Sequence, residues 1–157
     1  MSALVGDQTP PGAVVCLFEA AGRTFAVDIA RAREARMFDD YTVVPLAPAH
    51  LMGMVNLRGA IIPLVDLRVL RGLPGRQDTL HTLIVEANAV RVALAVDRVL
   101  GVESLDDPLE PPGDGAEADR LEHGHRRRGD EAVPILDVEK IVQSLTCRPS
   151  PRTHEGL

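Results

Sequence analysis

A chain of 157 residues that is 45% hydrophobic and 25% charged can bury one sizeable core and is too short to hold several independent enzyme domains. Its net charge of −6 disfavours an extended nucleic-acid surface, and three Phe, one Tyr and no Trp leave almost nothing on which bases could stack. No apolar run approaches the roughly 20 residues of a membrane span, and the opening MSALVGDQTPPGA lacks the charged start and apolar core of a secretory signal, so the expectation is a cytoplasmic protein.

In chain order, residues 1–12 read as a mobile tail, followed by one domain at 13–146 and a second tail at 147–157. Runs 14–19 and 24–29 flank Ala20-Ala21-Gly22-Arg23 and predict a hairpin. Its second strand has the period-two pattern of a half-buried strand. Residues 30–36 predict a helical turn. Runs 51–55 and 60–65 predict paired strands joined by a polar tip, Asn56-Leu57-Arg58-Gly59, with Gly59 free to take a positive φ. Short helices are expected at 67–70 and 138–145, a further hairpin at 82–87 and 90–96 turned at Asn88-Ala89, and a long irregular stretch at 106–130.

Segments recur. Glu19-Ala20 falls on Glu86-Ala87, 67 residues on; AVDIARARE (26–34) falls on AVDRVLGVE (95–103), 69 on; and IPLVDLRVL (62–70) falls on VPILDVEKI (133–141), 71 on. Three matches in one order predict an ancient duplication, each copy having about five short strands, which suits a small closed barrel better than a flat sheet. The predicted fold is mostly β, two packed five-stranded barrels with a few short helices. Periodicity leaves open whether the halves exchange strands.

Catalytic chemistry finds no support. Asp28, Asp66, Asp97 and Asp137 each follow an apolar run where a strand gives way to a turn or helix, which points to capping rather than acid–base work. His123 and His125 read as parts of a solvated loop with no metal-ligand spacing, Cys16 and Cys147 as free thiols, and no phosphate-cradling or nucleophile motif is present. Neither a metal nor a cofactor is expected. Arg126, Arg127 and Arg128 read as a solvated loop beside neutralising carboxylates, with anion recognition the lesser reading. Arg58 differs: a guanidinium held on a rigid tip presents five donors in a planar fork, a binding group for a carboxylate or carbonyl.

The run GMVNLRGAIIPLVDLR (53–68) resembles the signature of the CheW family, the bacterial chemotaxis coupling proteins, and the resemblance continues through FEAAGRTFAVDIARARE, VALAVDRVLGVESL and VPILDVEKIV. It implies two five-stranded SH3-like subdomains and a non-catalytic adaptor that binds the regulatory domain of a CheA-type histidine kinase and the cytoplasmic tip of methyl-accepting chemoreceptors. Glu34 falls on the family's acidic residue that pairs with the NLRG arginine, so the resemblance places Glu34, Asn56, Leu57 and Arg58 on a receptor-contacting surface. Gly53 matches a glycine on the kinase-facing side, where a side chain would hold the partner strand off, with Val55 and Ala32 beside it. Two departures are visible. Ala32-Arg33-Glu34-Ala35 replaces a segment with branched apolar residues, and the clipped, polar HGHRRRGDEA predicts a late strand that is short, frayed or lost. A trimmed face suggests an alternative, an adaptor that binds receptor but grips kinase weakly; an alternative of another class is a small barrel module holding an anionic ligand through Arg58 or the 126–128 loop.

Overall fold

The computed structural model describes residues 14–74, 80–112 and 121–146. The expected tails and Cys147 lie outside them. Ten strands run in order: β1 (Val14–Ala20), β2 (Arg23–Asp28), β3 (Ala32–Met37), β4 (Leu51–Leu57), β5 (Ala60–Asp66), β6 (His81–Ala87), β7 (Val90–Ala95), β8 (Arg98–Ser104), β9 (Glu122–Arg128) and β10 (Glu131–Leu136). A 3-10 turn spans Ile29–Arg31, α1 spans Leu67–Leu70 and α2 spans Val138–Thr146. The helix expected over 30–36 is therefore mostly strand, because Asp28 caps a single 3-10 turn through the Ala30 amide (2.9 Å) and the chain then extends beside β6.

The halves exchange hairpins. One five-stranded sheet has the order β8-β1-β2-β10-β9 and the other β3-β6-β7-β5-β4, so the first hairpin of each half completes the sheet built by the last three strands of the other half. Most neighbours are antiparallel; β10 with β2 and β5 with β7 run parallel. Among the described residues no ladder joins β8 to β9 or β3 to β4, but single bridges, Thr42–Met54 and Glu110–His125, tie the chain beyond β3 to β4 and the chain beyond β8 to β9, in keeping with the two SH3-like five-stranded subdomains expected.

Strand register corrects the repeat. One row across the second sheet reads Gly53, Leu64, Ala93, Ile84, Glu34; the matching row across the first reads Gly124, Ile135, Ala26, Leu17, Gly101. The 67-residue offset thus holds through β1, β2 and β3, and the 71-residue offset through β4 and β5. The AVDIARARE match at 69 is out of register: Glu34 corresponds to Gly101, not to Glu103.

The core follows from this exchange. β1, β2, β6 and β7 lie centrally, so each has a run of four consecutive buried residues rather than the half-buried alternation expected of β2. Phe18, Phe25 and Val27 of one sheet pack with Leu83, Val85, Val92 and Leu94 of the other, and Ile141 and Val142 of α2 close that cluster. Each sheet also has a smaller cluster of its own, Val15, Leu17, Ala26, Val133 and Ile135 in one, Val55, Leu57, Ile62, Leu64 and Ile84 in the other. Small side chains at Ala26 and Ala93 let the central strands be covered on both faces.

The aspartates do what their positions predict. Asp66 Oδ1 accepts from the Arg68 and Val69 amides (3.0 and 3.4 Å), and Asp137 Oδ1 from the Lys140 amide (3.1 Å), each at the end of the corresponding strand, β5 or β10. Asp97 instead pairs with Arg68 at 3.2 Å.

The late strand is not lost. β9 pairs along six positions with β10, and the segment read as a solvated loop is an ordered hairpin arm. Arg126, 3% exposed, donates to the Asp107 carbonyl at 2.8 Å; Arg128 donates to both Glu103 oxygens at 3.2 Å; His125 Nε2 lies 2.9 Å from Glu110. Burial alternates along Glu122–Arg128 as on an edge strand, although its polar composition reads as a loop.

Candidate functional site

Four elements build the site. The turn between β4 and β5 holds only two residues, Arg58 (φ 50°) and Gly59 (φ 90°), and Asn56 Oδ1 locks it by accepting from the Gly59 amide at 2.8 Å. Asn56 and Leu57, expected at the tip, are the last residues of β4. Positive φ at the first turn position is shared by Ala21 and Asn88 in the other hairpins. It belongs to the turn type and says nothing of Arg58's role.

From that turn Arg58 reaches β3, 24 residues back, and grips Glu34 with both arms: Nη1 donates to Oε1 at 3.2 Å and Nη2 to Oε2. Their side chains are 57% and 29% exposed, so the fork stays open to a partner. The hydrogen bond to Arg58 holds the Glu34 carboxyl below its usual range, helped by the charges of Arg36 and Arg91, and the same bond raises Arg58. At neutral pH the pair is fully ionised.

Around it lies an open groove of about 420 Å³ lined by Arg33, Glu34, Arg58, Ile84, Glu86 and Arg91. Glu86, on β6, is approached by Arg33 from β3 and Arg91 from β7. Sequence reading missed these three, since partners on separate strands show only once the register is known.

The other proposed residues are not equally available. Leu57 is 1% exposed and Val55 2%, both inside the core of their own sheet, so neither presents the exposed side chain expected of a contact residue. Ala32 is half-buried against the shared core. Gly53 is buried too, but not at an open edge: a Cβ there would lie 2.2 Å from the Thr42 carbonyl and 2.8 Å from the Tyr41 ring. The strand it accommodates is this chain's own, bridged by Thr42 N to Met54 O (2.9 Å) and Met54 N to Thr42 O (2.8 Å). Gly124 repeats the device under Glu110 in the other sheet. What is exposed nearby is apolar: Ile61 at 59% and Val43 at 66%, beside an open groove of about 450 Å³ lined by Asp40, Tyr41, Thr42, Met54, Val55, Asn56 and Ile61.

Among the described residues no three His, Cys, Asp or Glu side chains stand where they could hold a metal, and no helix is long and apolar enough to cross a membrane. Cys16 is buried, which pushes its thiol pKa up and leaves it poorly nucleophilic.

Two exchanged five-stranded sheets and an exposed Glu–Arg clasp define a β scaffold with binding surfaces. The chain belongs to the CheW-like domain family, which matches residues 15–146. It is similar to the chemotaxis protein CheW of Klebsiella aerogenes, 28% identical over 149 residues that cover 92% of this chain and 89% of that protein. To the probable chemotaxis protein CheW of Rhizobium etli it is 33% identical over 97 residues, 60% of this chain and 63% of that protein. The crystal structure of the scaffolding protein TtCheW from Thermoanaerobacter tengcongensis superimposes with a TM-score of 0.72 at 28% identity, covering 81% of this chain and 89% of that one. The chain is thus a chemotaxis scaffold of the CheW type.

Proposed function

We propose that this protein is a non-catalytic, cytoplasmic adaptor that couples methyl-accepting chemoreceptors to the regulatory domain of a CheA-type histidine kinase. The observation that carries the reading is the Glu34–Arg58 clasp, exposed and in the place the family resemblance assigns to receptor contact. Sheet register supplies an internal comparison. The fold builds this place twice, and at the corresponding positions the other sheet has Gly101 and Gly129. A fold that does without the pair in one sheet does not need it in the other, which favours recognition over stability. Receptor contact then rests on Glu34, Arg58 and the exposed Asn56, with Leu57 supporting the turn from within.

Kinase contact is assigned to the β4–β5 hairpin and the 41–42 segment beside it, where Ile61 and Val43 are exposed and apolar and Gly53 lets the 41–42 segment lie flat. The ordered β9–β10 hairpin answers one of the two departures behind the alternative of a trimmed face, and the Ala32–Ala35 segment keeps the other. Burial of Arg126 likewise removes most of the case for an anion-binding 126–128 loop. The test is co-purification of the full chain with a cognate kinase regulatory domain and a receptor cytoplasmic fragment, each alone and together. Retention of both supports coupling, and retention of neither overturns it.

A further inference from the structure

Beside the clasp, two arginines converge on one atom. Arg33 Nε lies 3.0 Å and Arg91 Nε 3.6 Å from the same oxygen of Glu86, Oε1. Glu34 is shared in the same way, by Arg58 and by Arg36 at 3.7 Å. Four guanidiniums against two carboxylates leave a surplus of two positive charges, on a chain whose net charge is −6. Exposure is also unequal. Glu86 and Glu34 are 24% and 29% exposed, whereas Arg33, Arg91 and Arg58 are 52%, 48% and 57% exposed, so the glutamates form the floor and the arginines the rim.

The other sheet shows what the fold requires here. Glu86 opposes Arg91 as Glu19 opposes Thr24; Arg36 opposes Thr82 as Glu103 opposes Val15; Arg33 and Leu100 are the residues skipped at the same bulge. The floor glutamate is kept, and none of the three arginines is. Glu19 keeps one arginine of its own, Arg98, so what is particular to this face is the doubled rim, two guanidiniums on one carboxylate.

We propose that Arg33 and Arg91, braced on Glu86 beside Arg58, form an anion-accepting subsite that receives carboxylate side chains from an acidic segment of the partner protein. The proposal rests on the receptor-contact reading of Glu34 and Arg58 and names the chemistry that the partner brings there. Guanidinium forks match discrete carboxylates in pairs, and a carboxylate set between two of them restores local neutrality. A polyanion fits worse, since the floor glutamates stand in a groove with a surplus of only two charges and would repel a continuous run of phosphates. Arg31, paired with Glu139, and Arg98, paired one-to-one with the equivalent glutamate Glu19, carry no surplus charge and serve as internal controls.

The experiment titrates the full chain with a glutamate-rich peptide while following arginine Nε–H resonances by NMR. Shifts at Arg33 and Arg91, abolished by salt and absent at Arg31 and Arg98, support the subsite; shifts spread evenly over all arginines, or none, overturn it. Phosphatidylglycerol vesicles or duplex DNA binding the chain more tightly than the peptide also overturn it. In parallel, affinity for the receptor fragment is measured for Arg33→Gln/Arg91→Gln and for Arg58→Ala. We expect the double variant to lose about tenfold or more in affinity, with a flatter salt dependence and an unchanged melting curve. If Arg58→Ala weakens binding and the double variant does not, the subsite is wrong and the receptor reading stands; if neither weakens it while the peptide shifts persist, the receptor reading fails and the anion site stands.

Discussion

Arg71, at the end of α1, and Glu122, at the start of β9, form an ion pair at 3.1 Å with side chains only 5% and 7% exposed. The Arg71 guanidinium also lies 5.4 Å from the Phe25 ring centroid, so it is wedged among elements of both sheets. Two charges removed from water depend on each other.

Truncating one partner leaves the other's charge buried, so Glu122→Gln and Arg71→Ala should each cost about 3–5 kcal/mol, whereas replacing both with apolar residues of similar volume should cost much less. Urea unfolding of the two singles and the double decides it. Additive losses would mean that the charges do not interact.

Gly53 bears on partner binding through this chain's own backbone. Gly53→Asp forces a Cβ into the Thr42 carbonyl, and a backbone atom cannot rotate aside, so we expect a loss of about 1–3 kcal/mol and displacement of residues 41–42. Amide exchange at Thr42 and Met54 reports it, and a protein unchanged in melting and exchange would refute it.

The clasp should behave in the opposite way. Glu34→Ala, Arg58→Ala and the double variant leave exposed groups in water, so melting should barely move, while receptor-fragment affinity should fall about tenfold or more in Arg58→Ala. A melting collapse in any of the three would make the pair structural.

His50 predicts an acid limb. Burial pushes its imidazole below the usual 6.5, and its Nε2 sits 3.3 Å from the Ser144 hydroxyl of α2. A histidine held neutral contributes its full stability above its unfolded value and loses it as pH falls through the lowered folded value. Melting temperature measured from pH 7.5 to 5, about the window set by an unperturbed histidine, should fall more steeply in the wild type than in His50→Gln. Parallel curves would exclude His50.

Hairpins and short helices were legible because their signals are local: Asn88-Ala89 and Arg58-Gly59 turns, aspartate caps, apolar runs. Arg58 was legible as a binding group from its place at a tight turn, but its pairing with Glu34 only through family likeness, since 24 residues separate them in sequence. Three features depend on long-range pairing and were not: the exchange of hairpins, burial of Leu57 and Val55, and Arg33, Glu86 and Arg91 meeting from three strands. β9 was misread for a physical reason. Its arginines satisfy their charges by reaching Asp107 and Glu103, contacts invisible to a pattern that counts polar residues.

The hairpin exchange also shapes how the chain is made and how it can go wrong. The second sheet has all its strands once β7 has emerged, but the first is incomplete until β10 has, because β2 waits for a neighbour more than a hundred residues downstream. Folding must therefore close large loops before the central strands find cover, which makes it slow and leaves the first hairpin exposed on the ribosome. At high concentration the hairpin of one copy can complete the sheet of another through the same contacts, giving entangled dimers with every native pairing satisfied.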